Sequence, residues 1–163
     1  GLTGSESQDD INQDLEMLSF LEKLRAQAAV KMGLISEESE ARQRQHTPKI
    51  AFVSPPSAYV TSSRRSIAAD QIDLQVRAMS MGKLHHAMMG TAAVAIACAG
   101  AVPGTLVSLA AGGAKSSICF GHPSGTLTVG ADVIQSDDVW MANSVTMSRS
   151  ARTLMEGTLH VPV

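Results

Sequence analysis

GKLHHAMMGTAAVAIACAGAV, from Gly82 to Val102, decides how the rest of the chain reads. From Met88 onward it carries no charge and nothing larger than Val, Ile or Met. Ala is the strongest helix former, so the spacing predicts a helix over 88–102, about four turns and some 20 Å long. A helix apolar on all sides is expected to be buried on all sides. Small side chains at Gly90, Ala93, Ala97 and Ala101 allow neighbouring backbone to approach closely. Just ahead of the helix stand Lys83, His85 and His86. Free N–H groups and the helix dipole favour negative charge at such an end, so this flank marks a candidate anion site. A plain core helix with solvated flanking residues fits the same pattern.

Composition narrows the class. A chain of 163 residues suffices for one domain with a real core. Its 13 Lys and Arg against 15 Asp and Glu give a net charge of −2, which is no footprint for nucleic acid or for a membrane surface. With 17% charged and 44% apolar residues, the chain is expected to bury much of itself or to lean on a partner, a homodimer included. Aromatics contribute only 3%, leaving the core to Ala, Val, Ile, Leu and nine Met. Cys98 and Cys119 lack metal-ligand spacing and read as free thiols of a reducing, cytoplasmic compartment. The polar, acidic N-terminus shows no apolar signal segment. The apolar run of the helix, about 16 residues closed by Pro103-Gly104, falls short of the about 20 that a membrane span needs, so a soluble chain is expected.

Outward from the helix, Ile72, Leu74, Val76 and Ala78 alternate with Asp73, Gln75 and Arg77, the period of a half-buried strand. Lys49–Ser54 is a second short strand, ended by Pro55-Pro56, while residues 59–69 stay ambiguous. Residues 36–47 read as a mobile surface loop with a solvated His46. Ile11, Leu15, Leu18, Leu21, Leu24 and Ala28 predict one amphipathic helix, capped by Asp9 or Asp10, reaching about Met32 and stopped by Gly33. After Gly104 the chain reads as β throughout, with strands at 105–109, 116–120, 125–131, 138–142 and 152–161. The expectation is an α/β (α+β) domain whose curved sheet wraps around one apolar helix.

Motifs for chemistry are sparse. Gly121-His122-Pro123-Ser124-Gly125 has Pro where a nucleophile elbow needs Ser, and reads as a tight turn with His122 and Ser124 at its lip. His85 and His86 are adjacent, so they point differently and make no i, i+4 metal pair; no metal is expected. Arg149 and Arg152 could clamp a carboxylate or lie on the surface.

Taken together, SMGKLHHAMMGTAAVA, PGTLV, FGHPSGTLTVGA and MSRSARTLMEG resemble the PrpF-type isomerases, the 2-methylaconitate cis-trans isomerases. GLTGSE, LEKLRAQAAVKMGL and PKIAFVSPPSAY fit the same family in the same order. The resemblance covers nearly all of the chain and answers to the second, C-terminal half of such a protein, with the first domain absent. It implies the diaminopimelate epimerase-like fold: two similar domains, each a barrel-like sheet around a central helix, with the active site between them. In the epimerases that helix begins with a catalytic Cys. Here Met89 takes that place, and a thioether neither gives nor takes a proton. The family's Lys and Cys acid/base pair belongs to the first domain, so the resemblance implies no catalytic residue in this half.

What it implies here is substrate holding, for a small tricarboxylate of propionate metabolism such as 2-methylaconitate or aconitate, with no cofactor. The holding groups would be the N–H groups of Met89, Gly90 and Thr91, the Thr91 hydroxyl and Lys83. Ser80 and His85 would join them, with His122, Ser124 and Arg149 further out. The competing reading is a non-catalytic, truncated binding or structural domain. An epimerase or racemase half stands third, because of Met89.

Overall fold

The computed structural model describes residues 1–162. In chain order the elements are α1 (Gln8–Asn12), α2 (Leu15–Lys31), a 3₁₀ turn (Glu38–Gln43), β1 (Ala51–Ser54), β2 (Tyr59–Val60), β3 (Ser66–Ile67), a second 3₁₀ turn (Ala69–Gln71), β4 (Leu74–Ser80), β5 (Lys83–Leu84), α3 (Gly90–Ala101), α4 (Leu106–Ala110), β6 (Ser117–His122), β7 (Gly125–Ser136) and β8 (Val139–Met147). Six strands form one curled sheet in the order β1-β4-β6-β7-β8, with β5 paired to β4; β2 and β3 form a separate hairpin. Every neighbouring pair is antiparallel except β4 and β6, which run parallel.

The apolar helix lies on this sheet as α3, and the main core forms between them. Leu74, Val76, Ala78, Ile118, Phe120, Val129 and Ala131 of the sheet meet Met88, Ala92, Ala93, Ile96 and Ala97. Small residues set the spacing: a β-carbon on Gly100 would come within 2.9 Å of Ile118 Cδ1 and 3.4 Å of Val107 Cγ1. Burial all round, however, is not observed. The sheet covers one side of α3, whereas Thr91 and Ala95 are exposed and Val94, Cys98, Ala99 and Val102 half-buried. The helix proper also starts at Gly90 rather than Met88.

The seam between β4 and β6 carries only two registered pairs, Leu74↔Phe120 and Gln75↔Gly121. Asp73 fastens it. The Asp73 N–H donates to the Cys119 carbonyl at 2.6 Å. Its carboxylate accepts from Cys119 N at 2.7 Å and from Lys115 Nζ at 2.9 Å.

β4 is buried on both faces, not half-buried. Gln75 is 0% and Arg77 2% exposed, because the N-terminal segment and the β2–β3 hairpin cover the face turned away from α3. A second apolar cluster, Ile11, Leu21, Met79 and Leu84, joins α1 and α2 to β4 and β5.

The expected single N-terminal helix is two. Ser7, not Asp9 or Asp10, caps α1 through a capping box with Asp10, and Asp14 starts α2 anew by accepting from Met17 N. Gly33, at φ 68°, stands just past the end of α2 as expected. Leu15 and Leu24 are exposed, and Arg25 takes an inward position instead. Its guanidinium donates to Glu22 at 2.6 and 2.7 Å and to the carbonyls of Ala41 and Arg44 at 2.8 and 3.0 Å. Segment 36–47 is therefore pinned against α2, not a loose loop.

Two expected strands fail. Residues 105–109 form α4, because the Thr105 hydroxyl accepts from Ser108 N and also donates to Ala99 O at 2.6 Å, capping one helix and closing the previous one. Residues 152–161 have no strand partner and are exposed without regular structure. β7 and β8 run longer than expected, joined by a turn at Asp137-Asp138 with φ 50° and 63°. Among the described residues, no helix is long and apolar enough to cross a membrane.

Candidate functional site

The N-terminus of α3 is built by the chain that leads into it. A tight turn at Met81-Gly82, with φ 53° and 75°, reverses β4 into β5. The His85 N–H then donates to Ala78 O at 2.9 Å, holding the returning segment against β4. His85 Nδ1 lies 2.7 Å from Ala87 O and 3.1 Å from Ala87 N, so residues 85–87 curl around that ring. The His86 ring stacks on it at 4.7 Å, so the two adjacent rings share a direction after all. Met88 is thereby driven into the core, and Met89 is left as the N-cap with extended backbone and no side-chain cap bond. The Ala93 N–H reaches Met89 O at 2.9 Å. The N–H groups of Gly90, Thr91 and Ala92 are left without an intrahelical acceptor.

Arg149 arrives at the same point from the end of β8. A β-carbon on Gly90 would lie 3.0 Å from Arg149 Nη2 and 3.7 Å from Met147 Cε. The guanidinium thus faces the positive end of the helix dipole. Among the described residues the salt bridges are Arg25–Glu22 and Lys115–Asp73, and neither involves Arg149. Two positive groups converging without a carboxylate between them can hold one, with a bidentate edge from the guanidinium.

Beside this end of α3 opens a cleft of about 390 Å³, lined by Thr91, Ala92, His46, Thr47 and Lys49. Lys49 Nζ donates to His46 O at 3.3 Å and has no salt bridge among the described residues. From the sequence, His46 reads as a solvated loop residue and Lys49 as the start of a strand, neither as part of a site. Nothing local marks them, since only the fold sets residues 46–49 against residue 91.

The other named residues are spread more widely. Ser80 and Lys83 face each other across the β4–β5 turn, Ser80 half-buried and Lys83 exposed, and no hydrogen bond ties either to α3. His122 and Ser124 sit on the β6–β7 turn, where Ser124 Oγ lies 3.2 Å from His122 Nδ1. Burial first, and the Arg77 charge second, push the His122 pKa down to about 4. That imidazole is neutral at physiological pH. Around the start of α3 the side chains are a thioether, a hydroxyl, the cations Arg149 and Lys49 and the imidazoles of His46, His85 and His86, and among the described residues no salt bridge pairs any of these imidazoles with a carboxylate that would activate it as a base.

A family model described as PrpF protein matches residues 1–162. The chain is 60% identical over 163 residues to a 2-methyl-aconitate isomerase of Shewanella oneidensis, covering 99% of this chain and 41% of that protein. It is 57% identical, with the same coverage, to a 2-methyl-aconitate isomerase of Cupriavidus necator. A crystal structure of methylitaconate-delta-isomerase superposes with a TM-score of 0.77 at 33% identity, over 91% of this chain and 40% of that one. The chain spans about two fifths of the length of the curated relatives it matches.

Proposed function

Because the chain belongs to the PrpF family, we propose that it is the substrate-holding part of an isomerase of small unsaturated tricarboxylates such as 2-methylaconitate or aconitate. The reading covers a cytoplasmic, cofactor-independent enzyme of propionate metabolism. In it, residues 1–163 act as one domain of the C-terminal half, and the rest of the protein brings the acid and the base. The relatives' greater length supports that division.

Isomerisation of this kind removes a proton from a carbon beside a carboxylate or double bond. The C–H electron pair spreads through the conjugated system onto a carboxylate oxygen, the bond order shifts or the bond rotates, and a proton returns. Charge therefore grows on a carboxylate as the proton leaves. Preorganised donors aimed at that oxygen lower the barrier because they need no rearrangement at the moment of transfer. The observation that carries the reading is the convergence of Arg149 on Gly90, where the free N–H groups of α3 begin. Thr91 and the Lys49 side of the cleft offer room and charge for a second carboxylate. Met89 argues against an epimerase half, since the thioether at the helix start cannot exchange protons.

The test is kinetic, on the full-length protein. Arg149→Ala should raise KM for 2-methylaconitate about 10- to 100-fold, the loss of a charge-assisted contact. Unchanged constants would sink the assignment. The second reading is a non-catalytic binding domain that holds a carboxylate and turns nothing over in the full-length protein either, favoured by the lack, among the described residues, of a carboxylate paired to any imidazole near α3. Turnover of 2-methylaconitate by the full-length protein, followed by ultraviolet absorbance and proton exchange, separates the two, and the isolated 163-residue chain is expected to show none on either reading.

A further inference from the structure

On the face of β4 turned away from α3 lies a charge that the proposed chemistry does not use. Arg77 is 2% exposed. Its Nε donates to Glu6 O at 2.8 Å and its Nη1 to Val76 O at 3.0 Å, both neutral carbonyls. The Tyr59 ring lies under the guanidinium at 5.5 Å. No salt bridge reaches Arg77 among the described residues. Buried charges in proteins are ordinarily paired, because removing an ion from water costs several kcal/mol.

The nearby groups supply the counter-charge only in part: the Glu6 charge favours the guanidinium from a distance, without a salt bridge, against the larger opposing effect of burial. Glu6 turns its carboxylate back onto its own loop, accepting from Thr3 N, from Thr3 Oγ1 at 2.9 Å and from Gly4 N at 2.8 Å. His122 is neutral, and Tyr59 is held protonated by burial. Asp9 is exposed to solvent, where its repulsion is screened. Arg77 instead borders a cavity of about 260 Å³ whose wall carries hydroxyls and amides from Ser5, Ser7, Gln8, Thr61 and Ser62 together with the acidic residues Glu6 and Asp9. The Ser62 backbone N–H is taken by Pro123 O, and its exposed side chain stands at the cavity wall.

We propose that this cavity binds a small oxyanion, a phosphate or a carboxylate, on the buried Arg77 guanidinium with hydroxyl donors from Ser62 and its neighbours. The two carbonyls orient the guanidinium edge, the Tyr59 ring backs it, and the ligand brings the counter-charge. A guanidinium fork recognises either planar carboxylate or tetrahedral phosphate oxygens, so the chemistry is shared by both.

The test uses the full-length protein with 15N-labelled arginine. Phosphate and succinate are titrated separately at constant ionic strength, with chloride as control, and read at the Arg77 Nε–H resonance. A saturating shift with phosphate, succinate or both supports the site, and the anion that saturates gives the source of the oxygens. Arg77→Met removes the response but also leaves two carbonyls without a donor. Ser62→Trp therefore serves as the second variant, because the exposed position tolerates bulk and the indole fills the cavity mouth without touching the buried charge. It should weaken binding at least tenfold while the remaining spectrum stays unchanged. A response that only follows ionic strength, equal for chloride, would overturn the site, as would a Ser62→Trp protein that titrates like the wild type.

Discussion

The guanidinium of Arg149 stands 3.0 Å from the point where a β-carbon on Gly90 would sit. The contact is with the far end of a flexible side chain, so Ala at this position moves Arg149 without disturbing the fold. Ala is also the better helix former. Gly90→Ala is expected to leave the melting temperature unchanged or slightly higher while raising KM for the tricarboxylate in the full-length protein. A lower melting temperature with unchanged KM would show that Gly90 serves packing alone.

Lys83 offers a comparison with Arg149, since the structure brings only one of the two to the start of α3. It sits exposed on a two-residue strand, whereas Arg149 borders the free N–H groups of α3. Lys83→Ala should raise KM, by less than Arg149→Ala does, with kcat little changed, since ground-state binding is what it loses. A larger effect from Lys83 would move the carboxylate pocket toward the β4–β5 turn.

His122 makes stability depend on pH. Its folded pKa, pushed down to about 4, lies below the ordinary value of 6.5, so between those values the unfolded chain binds the extra proton. Stability is then full above 6.5 and falls as the pH drops toward 4, by about 2–3 kcal/mol for a shift of this size. His122→Asn should flatten that stretch of the curve in urea melts taken from pH 7 to pH 4. An equally steep fall in the variant would assign the acid limb to carboxylates instead.

Ala95 and Ala97 lie on opposite sides of α3, one exposed and the other 1% exposed. Ala97→Leu forces three extra carbons into the packed face and should destabilise by roughly 1–3 kcal/mol. Ala95→Leu should change the isolated chain by less than about 0.5 kcal/mol. Equal losses in thermal melts would mean that both sides are enclosed.

The all-small composition of α3 made close packing of a buried helix legible from sequence, and the strand pattern around it pointed to a sheet as the partner, though that sheet covers one side of the helix and does not enclose it. The identity of residues 105–109 was not legible. Leu106, Val107 and Leu109 suit either state, and what decides is Thr105, whose hydroxyl caps α4 only because Ala99 O is within reach. β4 read as half-buried because Gln75 and Arg77 are polar. Both are buried under distant backbone, at Ser57 and Glu6, which no period within the strand records. At the site, the helix N-terminus was visible in the flank of residues 83–86, and Arg149 was named only as an outer contact. Lys49 and His46 carried no local mark at all.

The clamp at Asp73 has a kinetic meaning. Its two hydrogen bonds to Cys119 close a loop of 46 residues, and every other strand pairing of the main sheet is antiparallel, most of it local hairpin. The hairpin of β7 and β8 can form early, at little cost in chain entropy, whereas the two-pair seam must wait for α3 and α4 to settle between its strands. Amide protons of Leu74 and Gln75 should therefore exchange through a lower-energy opening than those paired between β7 and β8. The sheet would part there into two cooperative units, with Asp73 as the latch between them.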